Sequence, residues 1–217
     1  MDETPQFEGF PKIRRLFRDI IITEKIDGTN AQVHVLEDGR VLAASRKRYL
    51  LPEQSDNFGF RAWVEAYADE LRELGPGRHY GEWWGKGIQR GYGLDEKRFS
   101  LFNVSRWWSE WNARFDLTKM ERGKEVEIGR TQPPLCCGVV PIIYAGPFSE
   151  DVVHTKLYEL EALGSLAAIG FLRPEGIVIF HQQSGHLFKV TLENDEKPKG
   201  EHNVRNTDAK QRQGTHL

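Results

Sequence analysis

The chain has 217 residues, a formal net charge of −2, and 39% hydrophobic and 29% charged residues. This is the composition of a globular domain long enough to bury a sizeable core, and neither of a disordered chain nor of a membrane protein. No apolar run approaches the roughly 18 residues that span a bilayer. Met1 to Pro5 lacks the basic and apolar parts of a signal peptide. The two adjacent cysteines, Cys136 and Cys137, exclude a disulfide framework and a cysteine-based zinc site. A cytoplasmic location fits.

A polar entry segment covers residues 1–18. Ile20 to Lys25 reads as a strand. Ala31–Val35 and Arg40–Ser45 alternate in hydropathy around Glu37-Asp38-Gly39 and predict a hairpin. Phe60, Trp63, Val64, Tyr67, Leu71 and Leu74 fall at helical spacing, and Gly75-Pro76-Gly77 stops that helix. Arg78 to Trp84 reads as a strand, followed by a glycine-rich loop, Gly85 to Gly93. The spacing of that loop is neither the NTPase phosphate loop nor the dinucleotide fingerprint. Arg98 to Ser105 is a further strand candidate. Trp107, Trp108 and Trp111 sit in a segment that reads as a short helix. Glu121 to Pro134 reads as a surface loop and Leu135 to Tyr144 as one apolar strand. A helix starts at Ser149 and ends at Gly164. Gly176–Phe180 and Leu187–Thr191 predict a second hairpin. Residues 1–192 are thus read as one domain and 193–217 as a basic polar tail. The class is α+β with mainly antiparallel sheets.

Basic clusters occur at Lys12–Arg15, Arg46–Arg48 and after Lys197. Each is by default a solvated face, and the net charge does not advertise a nucleic-acid binder. Thr23-Glu24-Lys25-Ile26-Asp27-Gly28-Thr29-Asn30 is different. It places an amine at the end of an apolar strand, where a lysine is costly and can serve as a nucleophile. Residues two apart on a strand share a face, so Lys25 and Asp27 point into one cleft if the strand persists. Other strand ends carry Arg46, Glu82 and Glu175, and Lys189 lies inside Phe188-Lys189-Val190. An amine, separate carboxylates, an arginine and a second lysine suit phosphoryl or nucleotidyl transfer. Basic groups stabilise the charge that builds on the phosphate, and a carboxylate such as Glu175 or Asp27 suits Mg²⁺.

In order, Lys25-Ile26-Asp27-Gly28, Ser45-Arg46, Tyr80-Gly81-Glu82, Phe99-Ser100-Leu101-Phe102, Glu175-Gly176-Ile177-Val178 and Phe188-Lys189-Val190 resemble the motifs of the covalent nucleotidyltransferase superfamily. This superfamily contains the ATP-dependent DNA and RNA ligases and the mRNA capping enzymes. Glu24 to Asn30 and the Gly85–Gln89 stretch look most like the phage RNA ligase 2 branch. The resemblance implies an ATP-grasp-like nucleotidyltransferase domain, here with no separate C-terminal OB domain. It implies an ATP-dependent RNA ligase using ATP with Mg²⁺ or Mn²⁺, and a role in RNA repair. Lys25 would carry AMP as a phosphoramidate, and Lys189 would contact the α-phosphate. Glu24 would meet the adenine amine, Asp27 the phosphate or metal, and Arg46 the nucleotide or the RNA end. Gly28 and Asn30 belong to the same ATP-binding set. Glu82 would accept from the ribose hydroxyls, and Phe102, rather than Phe99, would stack on adenine. Glu175 would help to hold the metal. The RNA partner would supply a 5′-phosphate and a 3′-hydroxyl.

The chain departs from the ligase pattern at Thr191, where a second lysine is usual; Lys197 or Lys199 could substitute. A DNA ligase of the same superfamily is the nearest competing reading. A non-catalytic nucleotide- or RNA-binding module is another, favoured by Thr191 and opposed by Lys25, which binding alone does not require.

Overall fold

The computed structural model describes residues 6–117, 130–193 and 195. Two sheets face each other, and the chain crosses between them at the lysine-bearing turn. Sheet A contains β1 (Asp19–Lys25), β7 (Ile142–Pro147), β8 (Gly176–His181) and β9 (His186–Thr191), in the order β7-β1-β8-β9. Sheet B contains β2 (Thr29–Val35), β3 (Val41–Ser45), β4 (Gly77–Gly85), β5 (Lys97–Leu101) and β6 (Cys137–Val139), in the order β3-β2-β4-β5-β6. Every pairing is antiparallel except β5–β6. The α+β class and both expected hairpins are present.

Alternation along β1 assigns its apolar residues to two different cores. Ile20 and Ile22 pack with Ile177 and Ile179 beneath α3 (Glu150–Leu163), through Val153 and Leu160. Ile21 faces the other way and joins Trp84, Tyr92, Val140 and Ile142 between the sheets. A third cluster lies on the outer side of sheet B. There Ala31, Val33, Trp83, Phe99 and Leu101 meet Phe60 and Val64 of α1 (Phe60–Ala66) and Leu71 of α2 (Ala68–Leu71). Each fully buried Ile, Phe or Leu contributes roughly 1.5–3 kcal/mol. The cluster between the sheets therefore also fixes how the two faces of the site meet.

Four sequence expectations differ in detail, the simplest being that the strand expected over Arg98–Ser105 already ends at Leu101. The helix expected over Phe60–Leu74 is broken at Tyr67, whose φ of −105° and ψ of 17° are not helical, and it finishes as a 3₁₀ turn over Arg72–Leu74. The strand expected over Leu135–Tyr144 is two strands in two sheets. Pro141 lies between them and cannot donate to a ladder, so the chain leaves sheet B at Val139 and enters sheet A at Ile142. The tryptophan segment holds only a short 3₁₀ turn, Asn112–Arg114. Trp111 there donates its indole N–H to the Ile142 carbonyl (2.8 Å). α3 has the expected boundaries: Ser149 Oγ accepts from the Val152 amide (3.1 Å), and Gly164 ends it at φ 84°. Residues 121–129 of the expected surface loop, and nearly all of the expected tail, lie outside the described residues. Among the described residues no helix is long and apolar enough to cross a membrane. Cys136 and Cys137 are free thiols.

Candidate active site

The site forms where the chain changes sheets. Lys25 is the last residue of β1 and Thr29 the first of β2, so residues 26–28 are the crossover. The crossover must pass close to sheet B. A Cβ at Gly28 would lie 2.4 Å from the Trp83 carbonyl oxygen and 2.7 Å from the Trp84 Cβ, so only glycine fits there. The Gly28 amide then donates to Glu82 Oε1 (3.1 Å), and Asn30 Nδ2 donates to Glu82 Oε2 (3.2 Å). Gly28 and Asn30 thus meet at the buried carboxylate of Glu82.

Lys25 Nζ lies 2.5 Å from Glu175 Oε2, a contact spanning 150 residues of sequence. Strand pairing makes it possible, because Lys25 is opposite Gly176 in the β1–β8 ladder. Gly176 has φ 154°, and a Cβ there would lie 2.2 Å from the Val190 carbonyl oxygen. The tight approach of β9 at this point therefore requires glycine next to Glu175. Both members of the pair are largely shielded, with side chains 17% and 5% exposed.

The β8–β9 register sets the second lysine. Gly176 pairs with Thr191 and Val178 with Lys189, while Val178 also pairs with Thr23 of β1. Thr23, Lys25, Val178, Lys189 and Thr191 therefore share one face of sheet A. Ideal sheet spacing puts the Cα atoms of Lys25 and Lys189 about 12 Å apart. Lys189 is exposed. Thr191 occupies the same row as Lys25, and its hydroxyl donates to the Glu193 carbonyl (3.0 Å) and lies 3.1 Å from Asp195 Oδ1.

Glu24 and Lys25 are neighbours on a strand and so face opposite sides of it. The Glu24 carboxylate is only 2% exposed and points away from Lys25. It accepts from Ser165 Oγ (2.6 Å) and from the amides of Leu166 (2.8 Å) and Ala167 (2.9 Å). Burial raises its pKa, an effect only partly offset by these donors. The structure places this side chain under the loop after α3, not beside Lys25.

The strand does not persist to Asp27, which sits in the crossover. Its carboxylate Oδ2 accepts from Arg90 Nε (3.1 Å), and its amide donates to the Tyr92 hydroxyl (2.7 Å). Burial, chiefly, pushes the Tyr92 hydroxyl well above the ordinary tyrosine range. Arg90 also donates to the carbonyls of Arg173 (3.1 Å) and Pro174 (3.5 Å), just before Glu175, and to Glu193 Oε2 (3.4 Å). Sequence reasoning did not single out Arg90 and Tyr92. Their signal was the run of glycines around them, which lets a short loop turn its side chains back toward the crossover.

On sheet B, pairing puts Asn30, Glu82 and Ser100 in one row and Gln32 and Tyr80 in the next, all on the face turned from the outer core. Phe102 follows β5 at this row, its amide donating to the Tyr80 carbonyl (3.0 Å), and is 40% exposed. Phe99 is wholly buried and packs against Phe60 and Trp63. Arg46, just past β3, is exposed. The structure thus gathers Lys25, Glu175, Asp27, Gly28, Asn30 and Glu82 at the crossover, with Lys189 and Phe102 on the flanking sheets.

Among the described residues no group of three or more His, Cys, Asp or Glu side chains could hold a metal ion unaided. Glu175 still suits a cation that takes most of its ligands from phosphate oxygens and water, as Mg²⁺ commonly does. A cavity of about 220 Å³ lies on the opposite face of sheet A, lined by Leu16, Phe148, Val153, Ile179, His181 and Phe188, and is separate from this chemistry.

Comparison with solved structures places this two-sheet fold among the RNA ligases. One match is a Naegleria gruberi RNA ligase mutant with ATP and Mn, with a TM-score of 0.50, 17% identity, and coverage of 80% of this chain and 49% of that one. Another mutant of the same ligase, with AMP and Mn, matches with a TM-score of 0.50, 18% identity, and coverage of 81% and 50%. The chain spans about half the length of these structures. A family model for RNA ligases matches residues 18–191, and the chain belongs to the RNA ligase family. No curated protein matches the sequence.

Proposed function

We propose that this chain is an ATP-dependent RNA ligase of the phage RNA ligase 2 type, and that Lys25 is its nucleophile. The observation that carries the reading is the Lys25–Glu175 pair. A largely shielded amine is held 2.5 Å from a buried carboxylate at the point where two sheets meet. Family membership and the ATP and AMP bound to the Naegleria ligases of similar fold support the choice of nucleotide.

Nζ of Lys25 attacks the α-phosphorus of ATP. An N–P bond forms, the bond to the β-phosphate oxygen breaks, and pyrophosphate leaves with the electron pair. Glu175 Oε2 is placed to hold the proton of Nζ. Lys189, on the same sheet face, balances charge on the α-phosphate. Phe102 stacks on adenine. Glu82, already oriented by Gly28 and Asn30, accepts from the ribose, and Arg46 meets the nucleotide or the RNA end. A divalent cation held by Glu175 together with phosphate oxygens would neutralise phosphate charge.

Asp27 acts beside the phosphate through the crossover that it anchors. The buried carboxylate of Glu24 fixes the 165–167 loop against the end of β1. In the second step a 5′-phosphate oxygen of RNA displaces Lys25 from phosphorus, and the amine recovers its proton. In the third, a 3′-hydroxyl attacks the activated 5′-phosphorus, and AMP leaves as the phosphodiester forms. Passing through a covalent intermediate divides one difficult displacement into easier ones.

The test is sealing of a nicked duplex and of single-stranded ends, with RNA or DNA at each side, in the presence of ATP and Mg²⁺ or Mn²⁺. ATP-dependent joining of RNA ends supports the reading. Joining of DNA ends alone, or no joining by an active-site-intact preparation, overturns it.

A further inference from the structure

The face of sheet B that carries Glu82 and Tyr80 continues beyond the nucleotide residues, and the row that follows lies outside the ligase motifs. The next row holds Leu42, His34 and Arg78. Tyr49 returns along the outer edge of β3, opposite Ala44. The small Ala44 side chain leaves room for the Tyr49 ring to reach across toward β2. The Tyr49 hydroxyl lies 2.7 Å from His34 Nδ1, and the two rings are nearly parallel at 14°, with centroids 6.0 Å apart. The Arg78 guanidinium carbon lies 5.9 Å from the Tyr49 ring centroid. Tyr49 is 37% exposed and Tyr80 55% exposed.

Cations border this aromatic shelf. Arg46, Lys47 and Arg48 form the turn between β3 and Tyr49, and all three are exposed, as is Arg78. The strand residues of this face contain one acidic side chain, Glu82, at the nucleotide end. Strand spacing puts the His34–Arg78 row about 13 Å from the Asn30–Glu82 row. That is a span of one or two nucleotides.

We infer that the shelf formed by Tyr49, Tyr80, His34 and Arg78 is a docking track for single-stranded RNA next to the reacting end. The inference rests on the ligase reading for its choice of partner. Stacking on exposed aromatic rings beside cations binds a strand without reading its sequence. The Tyr49 and Tyr80 rings take bases, and Arg78 and the 46–48 turn take phosphates. The hydrogen bond between Tyr49 and His34 fixes the ring that would otherwise swing freely at the sheet edge.

The test measures two things on the same full-length variants. One is binding of a short fluorescent single-stranded RNA by anisotropy over a salt series. The other is transfer of AMP to the protein from ATP without RNA. Tyr49→Ala is expected to weaken RNA binding roughly 5-fold or more. Arg78→Ala is expected to weaken it and to lower the salt slope by about 1. Tyr49→Phe keeps the ring and falls between Tyr49→Ala and wild type. AMP transfer stays at the wild-type rate in all three. RNA binding equal to wild type in Tyr49→Ala and Arg78→Ala overturns the track, as does a loss of AMP transfer in proportion to the loss of binding. Equal weakening for a DNA strand leaves a track for single strands but overturns its assignment to RNA. A wild-type protein that accepts no AMP yet loses RNA binding in these variants refutes the catalytic reading and leaves the track standing.

Discussion

Arg90 Nε lies 3.1 Å from Asp27 Oδ2, and the same guanidinium reaches the carbonyls of Arg173 and Pro174. One side chain from the glycine-rich loop thus ties the crossover after Lys25 to the segment before Glu175. Through these contacts Arg90 holds the two segments that carry Lys25 and Glu175, and it is a positioning residue. Arg90→Ala is expected to slow AMP transfer to Lys25 by roughly 10- to 100-fold, the cost of a small misplacement of reacting groups. Sealing of RNA that already carries 5′-AMP needs no attack by Lys25 and should fall much less. Single-turnover rates of the two steps make the comparison. Equal losses in both, following a loss of folded protein, would reduce Arg90 to a structural role.

Glu24 should leave its mark in the pH dependence of stability. Burial raises its pKa in the folded protein above the ordinary value of 4.5. The folded state therefore holds this proton more tightly than the unfolded state does. Its contribution is fully present below about pH 4.5 and is lost as pH rises through the raised folded value. Glu24→Gln removes the titration, at the constant cost of disturbing three hydrogen bonds. The melting temperature of the variant relative to wild type should rise with pH above 4.5. A difference that stays flat with pH contradicts this placement of the carboxylate.

Gly28→Ala should destabilise the fold by about 1–3 kcal/mol, because its Cβ would collide with the Trp83 carbonyl and the Trp84 side chain. The substitution also pushes on the amide that orients Glu82. Urea unfolding reads the stability loss, and the ATP concentration for half-maximal labelling should rise with it.

The two phenylalanines of the β5 motif should separate binding from stability. Phe99 is fully buried, so Phe99→Ala should cost about 3–5 kcal/mol. Phe102 is 40% exposed, so Phe102→Ala should stay within about 1 kcal/mol of wild type. It should instead raise the ATP requirement for labelling by roughly 5-fold or more through lost stacking. Unfolding curves and ATP titrations on both variants check this.

Much of this arrangement was legible in the sequence because it is periodic or punctuated. The hairpins announced themselves by alternation, and α3 by Ser149 and Gly164. Lys25 stood out because an apolar strand ran straight into it. Tertiary choices were less legible. Leu135–Tyr144 is uniformly apolar, and only Pro141 hints that it serves two sheets. Alternation alone separates Glu24 from Lys25, yet its three donors come from a loop about 140 residues away. Arg90 and Tyr92 find Asp27 through loop geometry that no local pattern encodes.

The proposed first step is transfer of AMP from ATP to Lys25. The most direct measurement incubates the protein with ATP labelled at the α-phosphate and a divalent cation, denatures it, and compares wild type with Lys25→Ala. Label that survives denaturation on wild type, is released by acid as a phosphoramidate would be, and is missing from Lys25→Ala is the expected result. Label retained by Lys25→Ala, or no label on wild-type protein that mass measurement shows to be free of AMP, would contradict it.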